Sequence, residues 1–292
     1  MTGYTEHLIR VPDDLGIYAR DYAPQGAQSG RTLVCLHGLT RNSADFDEFA
    51  PAMAARGHRV LAFDMRGRGR SGNDAQWQRY MPPTYAGDVA HCLTALNTGP
   101  CIFVGTSMGG LITMILAATA PQFILAAVLN DVGPVLNAAG IARISAYVGK
   151  TGPFASWDAL KDTIKAAQGA LFPGKDDAFW EKFARRTGRQ RSDGQIEFAY
   201  DPAIARVFAE APAGPAPDLR PLFSALAVKP VLVVRGADSD ILVPEGVAEM
   251  RRLKPDLQVV EVPHVGHAPT LSEPEADQAI ARFVAALGGN RL

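Results

Sequence analysis

The stretch CIFVGTSMGGLITMIL, residues 101–116, decides how the rest of the chain is read. Its first five residues form a short apolar run, and beyond about Met108 the apolar positions continue at helical spacing. Between the two runs Gly105, Ser107 and Gly109 spell G-x-S-x-G. With a strand before it and a helix after it, that pattern encodes a sharp turn with the serine at its apex. Glycines flank the serine because side chains would collide in so tight a turn, and the turn lifts the hydroxyl clear of the sheet. The first helical peptide, that of Met108, offers its N–H to the same space. A plain glycine-rich strand-to-helix turn would explain the pentapeptide alone; the flanking strand and helix favour a nucleophile.

Other apolar runs share the character of residues 101–105. They are TLVCL (32–36), RVLAF (59–63), AAVLN (126–130), PVLVV (230–234) and QVVEV (258–262). Each is short and nearly continuous in hydrophobicity, as expected of parallel strands covered on both faces. Helical spacing over 84–97, 111–119, 245–252 and 275–287 alternates with them, which argues an α/β fold with a mostly parallel central sheet flanked by helices. HLIRVP and GIYARDY near the start alternate, and predict an antiparallel pair at one edge.

The rhythm breaks after Asp131. Residues 132–225 hold Trp157, Phe172, Phe179, Trp180 and Phe183 at helical spacing, with no convincing buried strand, and APAGPAPDLRP (211–221) reads as an extended linker. The expected organisation is a core of 1–131 and 226–292 interrupted by a helical cap insertion over 132–225, too long for an ordinary loop.

Composition narrows the function classes. The 292 residues are 47% hydrophobic and 20% charged with a net charge of −1, so a large core is expected and neither nucleic acid nor an anionic membrane is called for. Cys35, Cys92 and Cys101 lack metal-type spacing and read as small buried hydrophobes. No basic start leads into an apolar leader, and no run reaches the ~18 apolar residues of a membrane helix, so a cytoplasmic protein is expected. GRGRSG (67–72) matches G-x-G-x-x-G, but polar, proline-stopped residues follow it instead of an apolar helix, which excludes a dinucleotide site. Arg66, Arg68 and Arg70 then read as a solvated loop. No cofactor and no metal is expected.

A serine needs a base, and the base an orienting acid. His267, in the loop PHVGHAPTLSEP after the last strand, suits a base reaching over the carboxyl edge of the sheet, with His264 as runner-up. After the penultimate strand, Asp238 and Asp240 are both available as the acid. A second oxyanion donor is expected from Leu39, because Gly38 before it permits close backbone approach, and it would pair with the Met108 N–H. His37 reads as structural.

These residues resemble the α/β-hydrolase superfamily over nearly the whole chain. The matching segments are HGL (37–39), DMRGRGRS (64–71), GTSMGG (105–110), SDILVP (239–244) and GHAPTLSEP (266–274). The resemblance implies that the Asp-x-x-Gly-x-Gly-x-Ser segment is a structural loop, that His267 is the base, and that Asp240, four residues before Pro244, is the acid. Ser107 in place of an aspartate argues against the epoxide hydrolase and haloalkane dehalogenase branches. The expected activity is hydrolysis of a small carboxylic ester or lactone with an apolar acyl part. C–C bond hydrolysis of a diketone or dienoate, and a ligand receptor on the same fold, are the alternatives.

Overall fold

The computed structural model describes residues 3–25, 30–149, 152–210 and 218–287. Its strands are β1 (Thr5–Arg10), β2 (Gly16–Tyr22), β3 (Thr32–Leu36), β4 (Arg59–Phe63), β5 (Cys101–Thr106), β6 (Ile124–Asn130), β7 (Gly188–Gln190), β8 (Ile196–Phe198), β9 (Val231–Gly236) and β10 (Gln258–Val262). Its α-helices are α1 (Phe49–Ala55), α2 (Pro82–Ala95), α3 (Met108–Thr119), α4 (Ala138–Tyr147), α5 (Trp157–Gln168), α6 (Asp177–Thr187), α7 (Arg206–Ala209), α8 (Arg220–Ala227), α9 (Pro244–Leu253) and α10 (Pro274–Ala286).

Eight strands form one sheet in the order β1-β2-β4-β3-β5-β6-β9-β10. The β1–β2 and β2–β4 pairs are antiparallel and the remaining pairs parallel. Successive side chains point to opposite faces of a strand. Val34, Leu36 and Phe103 accordingly enter the core on one face, while Leu33, Cys35, Ile102 and Val104 enter the core on the other, all fully buried. Burial on both faces is why these strands read as continuous apolar runs. The three cysteines are buried and unpaired, and burial pushes the Cys101 thiol up to about 11.

Between β6 and β9 the chain adds α4 to α8 and a small antiparallel ribbon of β7 and β8, which the sequence pattern did not predict. The ribbon stands apart from the main sheet. Phe172, Phe179, Trp180 and Phe183 gather around α6 with ring centroids 5.1–6.2 Å apart, mostly edge-on or tilted. α6 begins at Asp176, whose carboxylate accepts the Phe179 N–H at 2.9 Å, and α5 begins at Ser156, whose hydroxyl accepts from Ala159. The expected boundary at 225 falls within α8, whose Phe223 and Leu226 are fully buried in the same core as β5 and α3. Residues 211–217 of the expected linker lie outside the described residues.

The arginine-rich loop after β4 corrects its sequence reading. Arg70 is exposed, but Arg66 and Arg68 are 2% and 1% exposed. Arg66 is held by Asp88 through two bonds of 2.7 Å, and by Asp13 and Asp74. Alternating arginines look solvated in sequence because their partners are far away along the chain. A guanidinium enters a core when its N–H fork is satisfied.

Candidate active site

The site lies at the carboxyl ends of the parallel strands, where open α/β sheets place their ligands. β5 runs into Ser107, whose backbone has φ 51° and ψ −112°, and α3 starts at the next residue. A left-handed φ at a non-glycine residue costs about 1–3 kcal/mol and persists only where its surroundings enforce it. The enforcement is visible at the flanking glycines. A Cβ on Gly105 would stand 2.5 Å from the Gly109 backbone, and one on Gly109 would stand 2.0 Å from the Leu36 carbonyl oxygen.

His267 Nε2 lies 2.9 Å from Ser107 Oγ, and its Nδ1 lies 2.7 Å from Asp131 Oδ2. Beside a carboxylate, Nδ1 carries the proton and Nε2 is free to accept from the serine. Asp131 is fully buried and directly follows β6. Its Oδ1 accepts the Gly236 N–H at 3.0 Å, and its Oδ2 also accepts the Ser239 hydroxyl at 2.5 Å. Asn130, the last residue of β6, donates to the Pro269 carbonyl at 2.8 Å and ties the histidine loop to the same strand end.

Asp240 is therefore not where the resemblance placed it. Its carboxylate forms a two-pronged pair with Arg143 of α4, Nε to Oδ2 at 2.5 Å and Nη2 to Oδ1 at 2.8 Å. That guanidinium holds the Asp240 pKa below the ordinary carboxylate range. The residue after β9 that faces the histidine's partner is Ser239. Asp238 and His264 are both exposed. One signal for Asp131 was in the sequence: a carboxylate directly after a buried strand, at the sheet edge that also carries Ser107.

Of the two expected oxyanion donors, Met108 directly follows the serine, and Leu39 follows Gly38, where a Cβ would lie 3.9 Å from Ser107 Cβ. Met108 opens α3, so its N–H has no acceptor within the helix. At Leu39 the preceding carbonyl, that of Gly38, accepts from His37 Nδ1 at 2.7 Å and from the Arg41 N–H at 3.2 Å. His37 Nε2 accepts the Met65 N–H at 3.0 Å, which assigns the proton to Nδ1. Burial lowers the His37 pKa to about 4, so the ring stays neutral. Anchoring the Gly38 carbonyl turns the Leu39 N–H of the same trans peptide the opposite way. Among the described residues, neither the Leu39 nor the Met108 N–H has a protein acceptor.

These groups open into a cavity of about 500 Å³. Gly38, Leu39, Ser107 and His267 form its floor, and the inserted segment supplies Tyr147, Phe172, Phe179, Lys182, Phe183 and Arg186. The wall is aromatic and apolar in larger part, with charged side chains set among the rings. Arg41 stacks on the Phe183 ring at 3.8 Å and pairs with Asp45, and Lys182 and Arg186 share Glu48 Oε1. No group of metal-ligating side chains occurs among the described residues, nor any helix long and apolar enough to cross a membrane.

The profile described as alpha/beta hydrolase fold matches residues 31–274. The 3-hydroxybutyrate-oligomer hydrolase of Cupriavidus necator is 40% identical over 286 residues, covering 94% of this chain and 95% of its own. The 2-(acetamidomethylene)succinate hydrolase of Mesorhizobium japonicum is 30% identical, covering 96% of each. Among solved structures, an alpha/beta hydrolase from Novosphingobium aromaticivorans superposes with a TM-score of 0.90 at 40% identity, over 98% of this chain and 99% of that one.

Proposed function

The chain belongs to the alpha/beta hydrolase family and is a hydrolase, and from that premise we propose that it cleaves small carboxylic esters through an acyl-enzyme on Ser107. The observation that carries the reading is His267 bridging Ser107 Oγ and the buried Asp131 carboxylate. Ser107 Oγ attacks the ester carbonyl while its proton passes to His267 Nε2. Asp131 fixes the tautomer and stabilises the imidazolium. The Leu39 and Met108 N–H groups receive the oxyanion. When the intermediate collapses, the C–O bond breaks and the alcohol leaves with the proton from His267. Water, deprotonated by the same nitrogen, then releases the acid and restores the serine. The inserted segment acts as a cap that forms the far wall of the cavity.

The cavity suits a substrate of a few carbons that carries polar groups beside its apolar ones. Likeness to a relative that acts on 3-hydroxybutyrate oligomers favours short hydroxy-acid esters. The test compares 3-hydroxybutyrate dimer and trimer with p-nitrophenyl esters of rising chain length, a lactone and a dienoate. The dimer or trimer is expected to be turned over with the highest kcat/KM. Ser107→Ala should stay folded and lose about 10⁴–10⁶ in rate. A fluorophosphonate should label Ser107 alone. Wild-type kcat in the Ala variant rejects the mechanism.

A further inference from the structure

Arg68 is the one arginine of the loop after β4 that is both buried and without a carboxylate. Its side chain is 1% exposed, and it forms no ion pair among the described residues. A guanidinium keeps its charge in proteins, and a buried charge without a counter-ion is costly to retain. Its fork is spent on neutral acceptors. Nε donates to the Leu39 carbonyl at 2.9 Å, and Nη1 donates to the Arg66 carbonyl at 2.9 Å and to the Tyr85 hydroxyl at 2.7 Å. Nη2 meets the Met108 thioether at 3.6 Å, and the Tyr85 ring lies 4.8 Å from the guanidinium carbon. The two residues it grips outside its own loop and its tyrosine neighbour are Leu39 and Met108. Those are the two residues read as oxyanion donors, and neither backbone N–H has an acceptor among the described residues.

We propose that Arg68 is a positioning residue for acyl transfer, a buried cationic clamp that spaces the two oxyanion donors and adds its uncompensated charge to the potential there. This rests on the reading of Leu39 and Met108 as those donors. The clamp works through bonds to the Leu39 carbonyl and the Met108 side chain, and so leaves both N–H groups free. His37 anchors the Leu39 segment from the Gly38 carbonyl, and Arg68 anchors it from the next one. Buried Arg68 is itself screened little by water, and a fixed positive charge favours a developing oxyanion over a neutral ester carbonyl. The effect therefore belongs to the transition state and should appear in kcat more than in KM.

The experiment compares Arg68→Met and Arg68→Lys with the wild type on the best ester, with folding checked by circular dichroism and sites counted by complete fluorophosphonate labelling. Arg68→Met should lower kcat about 10²–10³-fold, the size of losing one oxyanion donor, with KM within about threefold. Arg68→Lys keeps the charge without the fork, and should recover about tenfold of that loss. A folded, fully labelled Arg68→Met with kcat within threefold of wild type overturns the proposal. So does a loss confined to KM, or a lysine variant no better than the methionine one. If the methionine variant does not fold, Arg68→Lys decides alone: a kcat drop of about tenfold at unchanged KM supports the clamp, and wild-type kcat rejects it. Failure of the serine mechanism itself would show separately, as activity surviving in Ser107→Ala.

Discussion

Asp131 and Asp240 differ in what surrounds them. Asp131 is fully buried and accepts three hydrogen bonds, from His267, Ser239 and Gly236. Asp240 is one-third exposed and faces Arg143. Asp131→Asn should lower kcat about 10⁴-fold, because an amide favours the wrong imidazole tautomer. Asp240→Asn should leave kcat within about threefold, since a partly exposed ion pair is worth no more than about 1 kcal/mol. Steady-state kinetics at saturating substrate ranks the two, and a dead Asp240→Asn beside an active Asp131→Asn returns the acid to the loop after β9. Local pattern could not separate these carboxylates. Both follow buried strands, and only the placement of β6 between β5 and β9 sets Asp131 under the histidine loop. Ser107 and His267 were legible because each carries its context within a few residues. The buried arginines were not, since the carboxylates around Arg66 come from three separate segments of the chain.

The turn from β5 into α3 depends on how closely that helix approaches β3. A methyl group at position 109 would press on the Leu36 carbonyl, so Gly109→Ala must push the start of α3 outward. Overpacking of this kind costs about 1–3 kcal/mol. The same displacement moves the Met108 N–H, so kcat should fall as well, while Gly99→Ala, with open space around it, should change neither. Urea unfolding read beside initial rates checks both effects. The elements were legible to unequal degrees for a related reason. β3 to β6 and β9 announce themselves because both faces are buried, and β10, half-exposed at the sheet edge, through its run of valines. The ribbon of β7 and β8 has three residues a side, GRQ and IEF, with most positions partly or fully exposed, and offers no apolar pattern to read.

Acid lability of the whole molecule should trace in part to His37. The ring is buried neutral, with its pKa lowered from 6.5 to about 4 by burial, whereas the unfolded chain protonates it near the ordinary value. The unfolded state therefore binds more protons throughout that interval, and stability falls as the pH drops from about 6.5 toward 4, by about 3 kcal/mol at most. Above pH 6.5 this group contributes no slope. Chemical denaturation at stepped pH should show the decline in the wild type and a shallower one in His37→Asn. Equal slopes in the two proteins would assign the lability elsewhere. The placement of Asp131 has a different consequence, in the order of synthesis. Ser107 and Asp131, nucleophile and acid in the proposed mechanism, both precede the inserted segment, on neighbouring strands, so a growing polypeptide completes that pair before any of the insertion exists. The imidazole arrives 136 residues after Asp131, carried across β9 by the loop behind β10. On the proposed mechanism the nascent chain holds until then a half of the site that lacks its base. The insertion, lying wholly between the two halves, is free to change length without disturbing the Ser107–Asp131 spacing. It must still preserve the seating of β9 on β6, from Ala127 opposite Val231 to Asn130 opposite Val234, and the Leu171 carbonyl that accepts the Gly266 N–H beside the histidine.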